Sequence, residues 1–297
     1  MTKVLITGAT GNVGMAVINA LEKLPHKLDL YAGVRDLHED VEKLGDYNIN
    51  FSHFDVTDFN SYQTTLDDCD ILFLLRPPQI SEVEKYFQPL IDACVNKGVG
   101  HIVFLSVQGV EKSSIIPHNK IEKLILESKI PYTFLRPAYF MQNFTTTLRS
   151  DLIKNKQIYL PAGNAKFTLI DVSDIGEVAA NILTNISLYK NKIYELTNEE
   201  KLTFSEMAEI LSEVLDTHIT FTSPNIISFF LRKKREGLPT MLILVMIMLH
   251  FFPRFQKEPE ITECVKKITG KIPASFKQFI NNNKKVLTDP MNRVKEK

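Results

Sequence analysis

The sequence predicts an α/β fold, a doubly wound parallel sheet with a smaller, mainly helical C-terminal lobe. Three observations predict it. Short β-rich runs alternate with apolar stretches at helical spacing through the first half of the chain, as in successive βαβ units. DILFLL (Asp70–Leu75) and HIVFLS (His101–Ser106) are nearly continuous in apolar residues, as are strands covered by helices on both faces. The first strand also runs through three glycines, Gly8, Gly11 and Gly14, straight into a helix.

The strands follow in order: Lys3–Thr7, Leu28–Val34, Ile49–His53, Ile71–Leu75, His101–Ser106 and Tyr132–Leu135. Between them, Val13, Val17, Ala20, Leu21 and Leu24 mark one face of a first helix. Val83, Phe87, Leu90, Ile91, Cys94 and Val95 mark another, which Gly98 ends. KFTLIDVSDIGEVAANIL (Lys166–Leu183) reads as a strand, a capped turn at 171–174 and a helix, and KIYELT as a further strand. Thr203 followed by Glu206 is a capping-box pattern opening the helix to Leu215. From Ser223 the chain reads as mainly helical. The expected division is a dinucleotide-binding domain over 1–156, its sheet completed by parts of 167–198, and a substrate or partner lobe over 157–297, above the carboxyl edge of the sheet.

Lysine plus arginine equals aspartate plus glutamate at 35 each, so no global field draws the chain to nucleic acid, and none is expected as a partner. Cys69, Cys94 and Cys264 have no metal-ligand or redox spacing. They are expected to be reduced, with no metal bound. A first strand starting at Lys3 leaves no room for a signal peptide, so a cytoplasmic location is expected. The sequons at Asn143 and Asn185 then carry no meaning. MLILVMIMLHFF (Met241–Phe252) covers only about 18 Å as a helix, short of a bilayer core. It is expected to be buried or pocket-lining rather than transmembrane. The adjacent RKKR (Arg232–Arg235) reads as a solvated helix face, with a membrane-associated reading of Ser228–Phe255 left open.

In G-x-x-G-x-x-G, Gly8 permits the tight turn off the strand, Gly11 lets main chain approach phosphate, and Gly14 lets the helix pack on the sheet. Amides near Asn12 and Val13 point at a pyrophosphate, so Gly8, Thr10, Gly11, Asn12 and Val13 are the expected contacts of a Rossmann-type site. No Gly-Lys-Ser/Thr follows, which argues against a nucleoside triphosphatase. In YAGVRD (Tyr31–Asp36), Arg35 stands where an acidic residue would take the ribose of NAD. A guanidinium suits a 2′-phosphate, so NADP(H) is preferred, and the neighbouring Asp36 keeps NAD(H) open.

With ITGATGNVG, GVRD, FDVTD (Phe54–Asp58), HIVFLSVQGV (His101–Val110), HNKIEKLILESKIPYTFLRPAYFMQNF (His118–Phe144) and TGKIPASFKQFI, the chain resembles the NmrA-like branch of the atypical short-chain dehydrogenase/reductases. That branch includes quinone and azo-dye reductases. The resemblance covers most of the chain, and the stretch from His118 is its most specific part. It implies that Asp55 and Val56 border the adenine, Leu75, Arg76 and Pro77 the ribose, and Ser106 and Val107 the nicotinamide. The chain departs from ordinary members in lacking a Tyr-x-x-x-Lys pair: Leu90, Arg136 and Asn143 stand four residues after Tyr86, Tyr132 and Tyr139.

His118 occupies the place of a functional lysine in isoflavone-reductase-like relatives. It is expected to titrate near neutrality and assist an acceptor, or to be an ordinary helix-start histidine. Tyr139, Phe140 and Asn143 are candidate walls for a planar substrate. The expected activity is hydride transfer from NADPH to a quinone or similar electron-poor small molecule, whose hydroquinone anion needs no strong acid. The alternative is a non-catalytic NAD(P) sensor acting on a regulatory protein partner. A homodimer is also open.

Overall fold

The computed structural model describes residues 1–289; residues 290–297, placed above in the second lobe, lie outside the described residues. Elements are numbered along the chain. The chain forms two compact units, the first made of Met1–Ala138, Val172–Leu196 and Cys264–Lys271, the second of Tyr139–Asp171, Thr197–Glu263 and Ile272 onward.

The first unit carries a seven-stranded parallel sheet: β1 (Thr2–Thr7), β2 (Leu28–Val34), β3 (Asn50–His53), β4 (Ile71–Leu75), β5 (His101–Leu105), β6 (Tyr132–Pro137) and β10 (Lys192–Leu196). Its order is β10-β6-β5-β4-β1-β2-β3, the doubly wound arrangement in which the direction of winding reverses between β1 and β4. The last four residues of β1, Val4 to Thr7, and all of β5 are buried, which is why both read as largely apolar runs.

Helices α1 (Asn12–Leu21), α2 (Glu39–Leu44), α3 (Phe59–Thr65), α4 (Val83–Lys97), α5 (Pro117–Ser128), α7 (Val172–Thr184) and α11 (Cys264–Thr269) complete this unit. The α4 face buries Val83, Phe87, Leu90, Ile91 and Cys94 as the spacing predicts, but Val95 is 48% exposed. Gly98, at φ +71°, ends the helix in the left-handed region. Helices α1 and α7 pack tightly: a Cβ on Gly176 would stand 2.4 Å from the Ala16 carbonyl oxygen.

The second unit holds β7 (Tyr139–Phe140), α6 (Arg149–Asn155), β8 (Gln157–Tyr159), β9 (Lys166–Ile170), β11 (Lys201–Thr203), α8 (Phe204–Leu215), β12 (Thr220–Thr222), α9 (Ile226–Arg235), α10 (Thr240–Phe251), α12 (Phe276–Asn282) and α13 (Lys284–Thr288). A three-stranded sheet runs β11-β9-β7, and β8 pairs with β12. Thr203 and Glu206 form the reciprocal capping box expected at the start of α8. The core gathers Phe144, Phe204, Leu211, Phe229, Phe276 and Phe279.

Two expectations for this unit are corrected. The Met241–Phe252 helix is only half buried: Ile243, Met246, Ile247 and His250 face the core, while Met241, Leu242, Leu244, Val245, Met248 and Leu249 are exposed. Spacings of three, four and seven residues put a single stripe inward, and among the described residues nothing covers the other side. The RKKR run is not uniformly solvated. Lys233 is 4% exposed and pairs with Asp151 of α6, and Arg232 lies 3.2 Å from the same carboxylate and over the Tyr159 ring. Among the described residues no helix is long and apolar enough to cross a membrane.

Candidate active site

The turn between β1 and α1 is built for backbone rather than side chains. Thr7 closes β1 by donating its hydroxyl to the Phe73 carbonyl and accepting from the Leu75 amide, tying the turn to β4 at 3.1 and 2.9 Å. Gly8 then takes φ +58°, a conformation that glycine adopts without strain. The Gly11 amide donates back to the Gly8 carbonyl at 3.0 Å. A Cβ on Gly14 would stand 2.3 Å from that carbonyl oxygen, so the first turn of α1 packs directly on the loop.

Gly11 is the N-cap of α1 and brings no capping side chain, and no acidic residue lies in the first turn. The leading amides of a helix have no partner within it, so those at Asn12 and Val13 face outward at its positive end. Gly8, Gly11 and Asn12 are exposed and Thr10 is half-buried. Five residues expected from the glycine pattern thus lie together in the turn after β1 and at the start of α1, where the sheet order reverses.

At the end of β2, Arg35 is exposed. The Asp36 carboxylate accepts from the His38 and Glu39 amides at 2.8 and 3.0 Å, so it is engaged in ordering the start of α2. Asp40 is the capping hub behind it: desolvation opposes its charge, but hydrogen bonds from Lys43, Asp36 and Thr10 together hold its carboxyl below the usual range. After β3, Asp55 turns one carboxylate oxygen onto the Thr57 amide and hydroxyl, and Val56 is buried.

Beyond β4, Arg76 acts as a clamp. Its Nη1 donates to the carbonyls of Pro77, Pro78 and Ile80, and its Nε donates to His118 Nε2 at 3.3 Å. Leu75 and Pro77 are half-buried beside it. His118, in the first turn of α5 with its ring 6.0 Å from that of Phe104, is pushed down to about 3 by burial and then by the Arg76 charge. The expectation that this ring titrates near neutrality is therefore corrected. It is neutral at any physiological pH, and accepting at Nε2 assigns its proton to Nδ1.

Ser106, at the end of β5, is 1% exposed, and its Oγ is buried without a hydrogen-bond partner. Such orphaned groups are costly unless a ligand or water completes them. Val107 beside it is half-buried. Sequence reasoning missed the pair that holds α5 on β6: Arg136 binds Glu122 through Nε and Nη2 at 3.0 and 2.7 Å, with Glu111 3.1 Å from Nη1. Burial opposes the Arg136 charge, but the glutamates hold its guanidinium above its ordinary value.

The three proposed wall residues belong to the second unit. Tyr139 sits among Phe167, Phe204 and His250, with ring centroids 5.6–5.8 Å away. His250 Nδ1 lies 2.6 Å from the Met246 carbonyl and Nε2 lies 3.1 Å from the Tyr139 hydroxyl. Nδ1 therefore donates to the carbonyl, and the tyrosine donates to Nε2. Asn143 hydrogen-bonds the same phenol; burial raises the Tyr139 pKa, and that bond acts against the rise. Burial pushes His250 down to about 4. Tyr139 is thus part of a polar knot inside an aromatic cluster, with Phe140 half-buried next to it. The signal for His250 was its position as the lone polar group near the end of an apolar run.

Cys69 and Cys94 are buried, with thiol pKa values raised by burial, Cys69 to about 11. They are poor nucleophiles. Among the described residues no cluster of histidine, cysteine and carboxylates stands ready for a metal.

Comparison with known proteins places this geometry. The chain is 29% identical over 277 residues to prestalk A differentiation protein A of Dictyostelium discoideum, covering 93% of this chain and 90% of that one. It is 28% identical over 293 residues to agroclavine dehydrogenase of Claviceps fusiformis, covering 95% and 98%. Its fold is similar to that of an NADPH-dependent quinone oxidoreductase of Escherichia coli solved with NADPH, with a TM-score of 0.85, 21% identity and coverage of 94% and 99%. The NmrA-like family matches residues 1–279. With a doubly wound sheet, a glycine turn at its reversal point and a match over nearly its whole length, the chain belongs to the NmrA-like family.

Proposed function

We propose that this protein binds NADPH and transfers hydride from it to a quinone or a similar planar, electron-poor acceptor. The observation that carries the reading is the bare start of α1 at the reversal point of the sheet, with Gly11 as a cap that has no side chain to offer. Such a terminus takes a diphosphate without rearrangement. The buried, unpartnered Ser106 hydroxyl at the end of β5 is a second group that fits a coenzyme. Arg35 is exposed while Asp36 is occupied by amides, which favours the 2′-phosphate of NADPH over the free ribose of NADH.

When bound, the dihydronicotinamide supplies a hydride. The residues of this chain supply placement. Arg76 fixes the loop after β4 and holds the His118 ring, whose Nδ1–H is a neutral donor suited to an acceptor oxygen. A neutral imidazole is a weak acid, so the proton that completes the hydroquinone comes from solvent. The acceptor suits that arrangement, since the anion formed by two-electron reduction of a quinone is far less basic than an alkoxide. The dehydrogenase relative and the quinone oxidoreductase of like fold support this chemistry.

The test is loss of NADPH absorbance with a panel of quinones and azo compounds, run beside calorimetry of coenzyme binding. Turnover with a planar acceptor and not with simple ketones is the expected result. The lack of a Tyr-x-x-x-Lys pair, together with a neutral His118, favours one other reading, a coenzyme-binding regulator. Saturable binding with no turnover of any acceptor would select it.

A further inference from the structure

We propose that the α9–α10 face of the second unit binds the surface of an anionic lipid bilayer. Half of the large apolar side chains exposed among the described residues lie between 227 and 255. On α10, Met241, Leu242, Leu244, Val245, Met248 and Leu249 are 38–67% exposed and form one continuous stripe opposite the buried one. Ile227 and Leu231, one turn apart on α9, are 72% and 49% exposed. A patch of this kind on a monomer marks an interaction surface.

Charge says which surface. The whole chain is neutral, yet residues 226–257 contain six lysines and arginines and one carboxylate, Glu236. Asp151 and Glu236 neutralise Arg232 and Lys233, and Glu260 pairs with Lys257. Lys234, Arg235 and Arg254 remain exposed with no carboxylate in ion-pair reach among the described residues. An isologous contact with a second copy would set these cations against themselves. An anionic headgroup layer meets both features, apolar stripe and cation fringe. With its inward stripe packed on the protein core, the twelve-residue α10 would lie along the interface rather than cross it.

The test is flotation of the full chain with vesicles of phosphatidylglycerol and phosphatidylcholine, against vesicles of phosphatidylcholine alone. Partition onto the anionic vesicles that falls about tenfold or more in high salt is expected. Leu244→Glu/Leu249→Glu, both at exposed positions, should abolish it with unfolding temperature unchanged. Since the chain has no tryptophan, Phe252→Trp gives a clean reporter whose emission should shift to the blue on anionic vesicles. No partition, partition indifferent to the double substitution, or partition equal on both vesicle types would overturn the proposal. So would a wild-type dimer in sedimentation that ignores vesicles and separates in the double variant.

Discussion

The guanidinium of Arg76 donates through Nε to Nε2 of His118 at 3.3 Å, joining the end of β4 to the start of α5 across 42 residues of sequence. The contact fixes the ring's tautomer and, with burial, keeps it neutral. His118→Ala should therefore lower quinone turnover about tenfold, the worth of one hydrogen bond to the reacting system, with NADPH affinity unchanged. The wild-type rate should show no inflection from this residue between pH 5 and 8. A step near 6.5 that vanishes in His118→Ala would mean the imidazole titrates during turnover.

Arg35→Ala should weaken NADPH by about 10- to 100-fold, the range for charge-assisted hydrogen bonds to phosphate, and leave NADH nearly untouched. Isothermal titration with both coenzymes measures the difference. Equal losses would remove Arg35 from coenzyme selection.

Gly176→Ala drives a methyl group to 2.4 Å from the Ala16 carbonyl. Backbone cannot step aside as a side chain can, so α1 and α7 must separate. A destabilisation of about 2–3 kcal/mol is expected, read as a lower urea midpoint with an unchanged slope.

Asp151 is 5% exposed and holds the buried Lys233 ammonium of α9. Removing it in Asp151→Ala leaves that cation with Glu236 alone, and a loss of about 3 kcal/mol follows from taking away one partner of a buried ion pair. The double change Asp151→Ala/Lys233→Met should recover much of it, which separates pairing from simple loss of packing.

Three histidines make the fold acid-sensitive. His101, His118 and His250 sit in the folded chain at about 4, 3 and 4, against 6.5 as the ordinary value, with burial the first cause at each. As pH falls through 6.5 the unfolded chain takes up protons that the folded chain refuses until near 4 or below. Stability is thus unaffected above 6.5 and declines as pH falls from 6.5 towards 4. Urea unfolding at pH 7.5 and 5 should show the decline, and His101→Gln should flatten it. An identical pH slope in that variant would refute the assignment for His101.

The sheet was legible because a strand covered on both faces must be apolar throughout, and turn residues bound each run. Gly8 and Gly14 were legible because each meets a steric demand that no other residue satisfies cheaply, a positive φ at Gly8 and a backbone contact at Gly14. Pairings between distant elements were not. The Tyr139–His250 bond spans 111 residues, and neither residue type announces its partner. The family resemblance implies that Arg76 borders the ribose, but nothing in the sequence announces that its donors also close the loop after β4. Composition also misled on α10. An all-apolar run carries no period to reveal which face packs, so the exposed stripe became evident only once Ile243, Met246, Ile247 and His250 were found turned inward.

The chain passes between its two units at 138–139, 171–172, 196–197, 263–264 and 271–272. During synthesis the ribosome therefore releases six strands of the large sheet well before the seventh, β10, which pairs with β6 from residues 192–196. Until then β6 is an open edge, able to recruit another nascent chain. Neither unit is a continuous gene segment, so a shortened open reading frame ending near residue 156 would deliver a sheet with one raw border rather than an autonomous half.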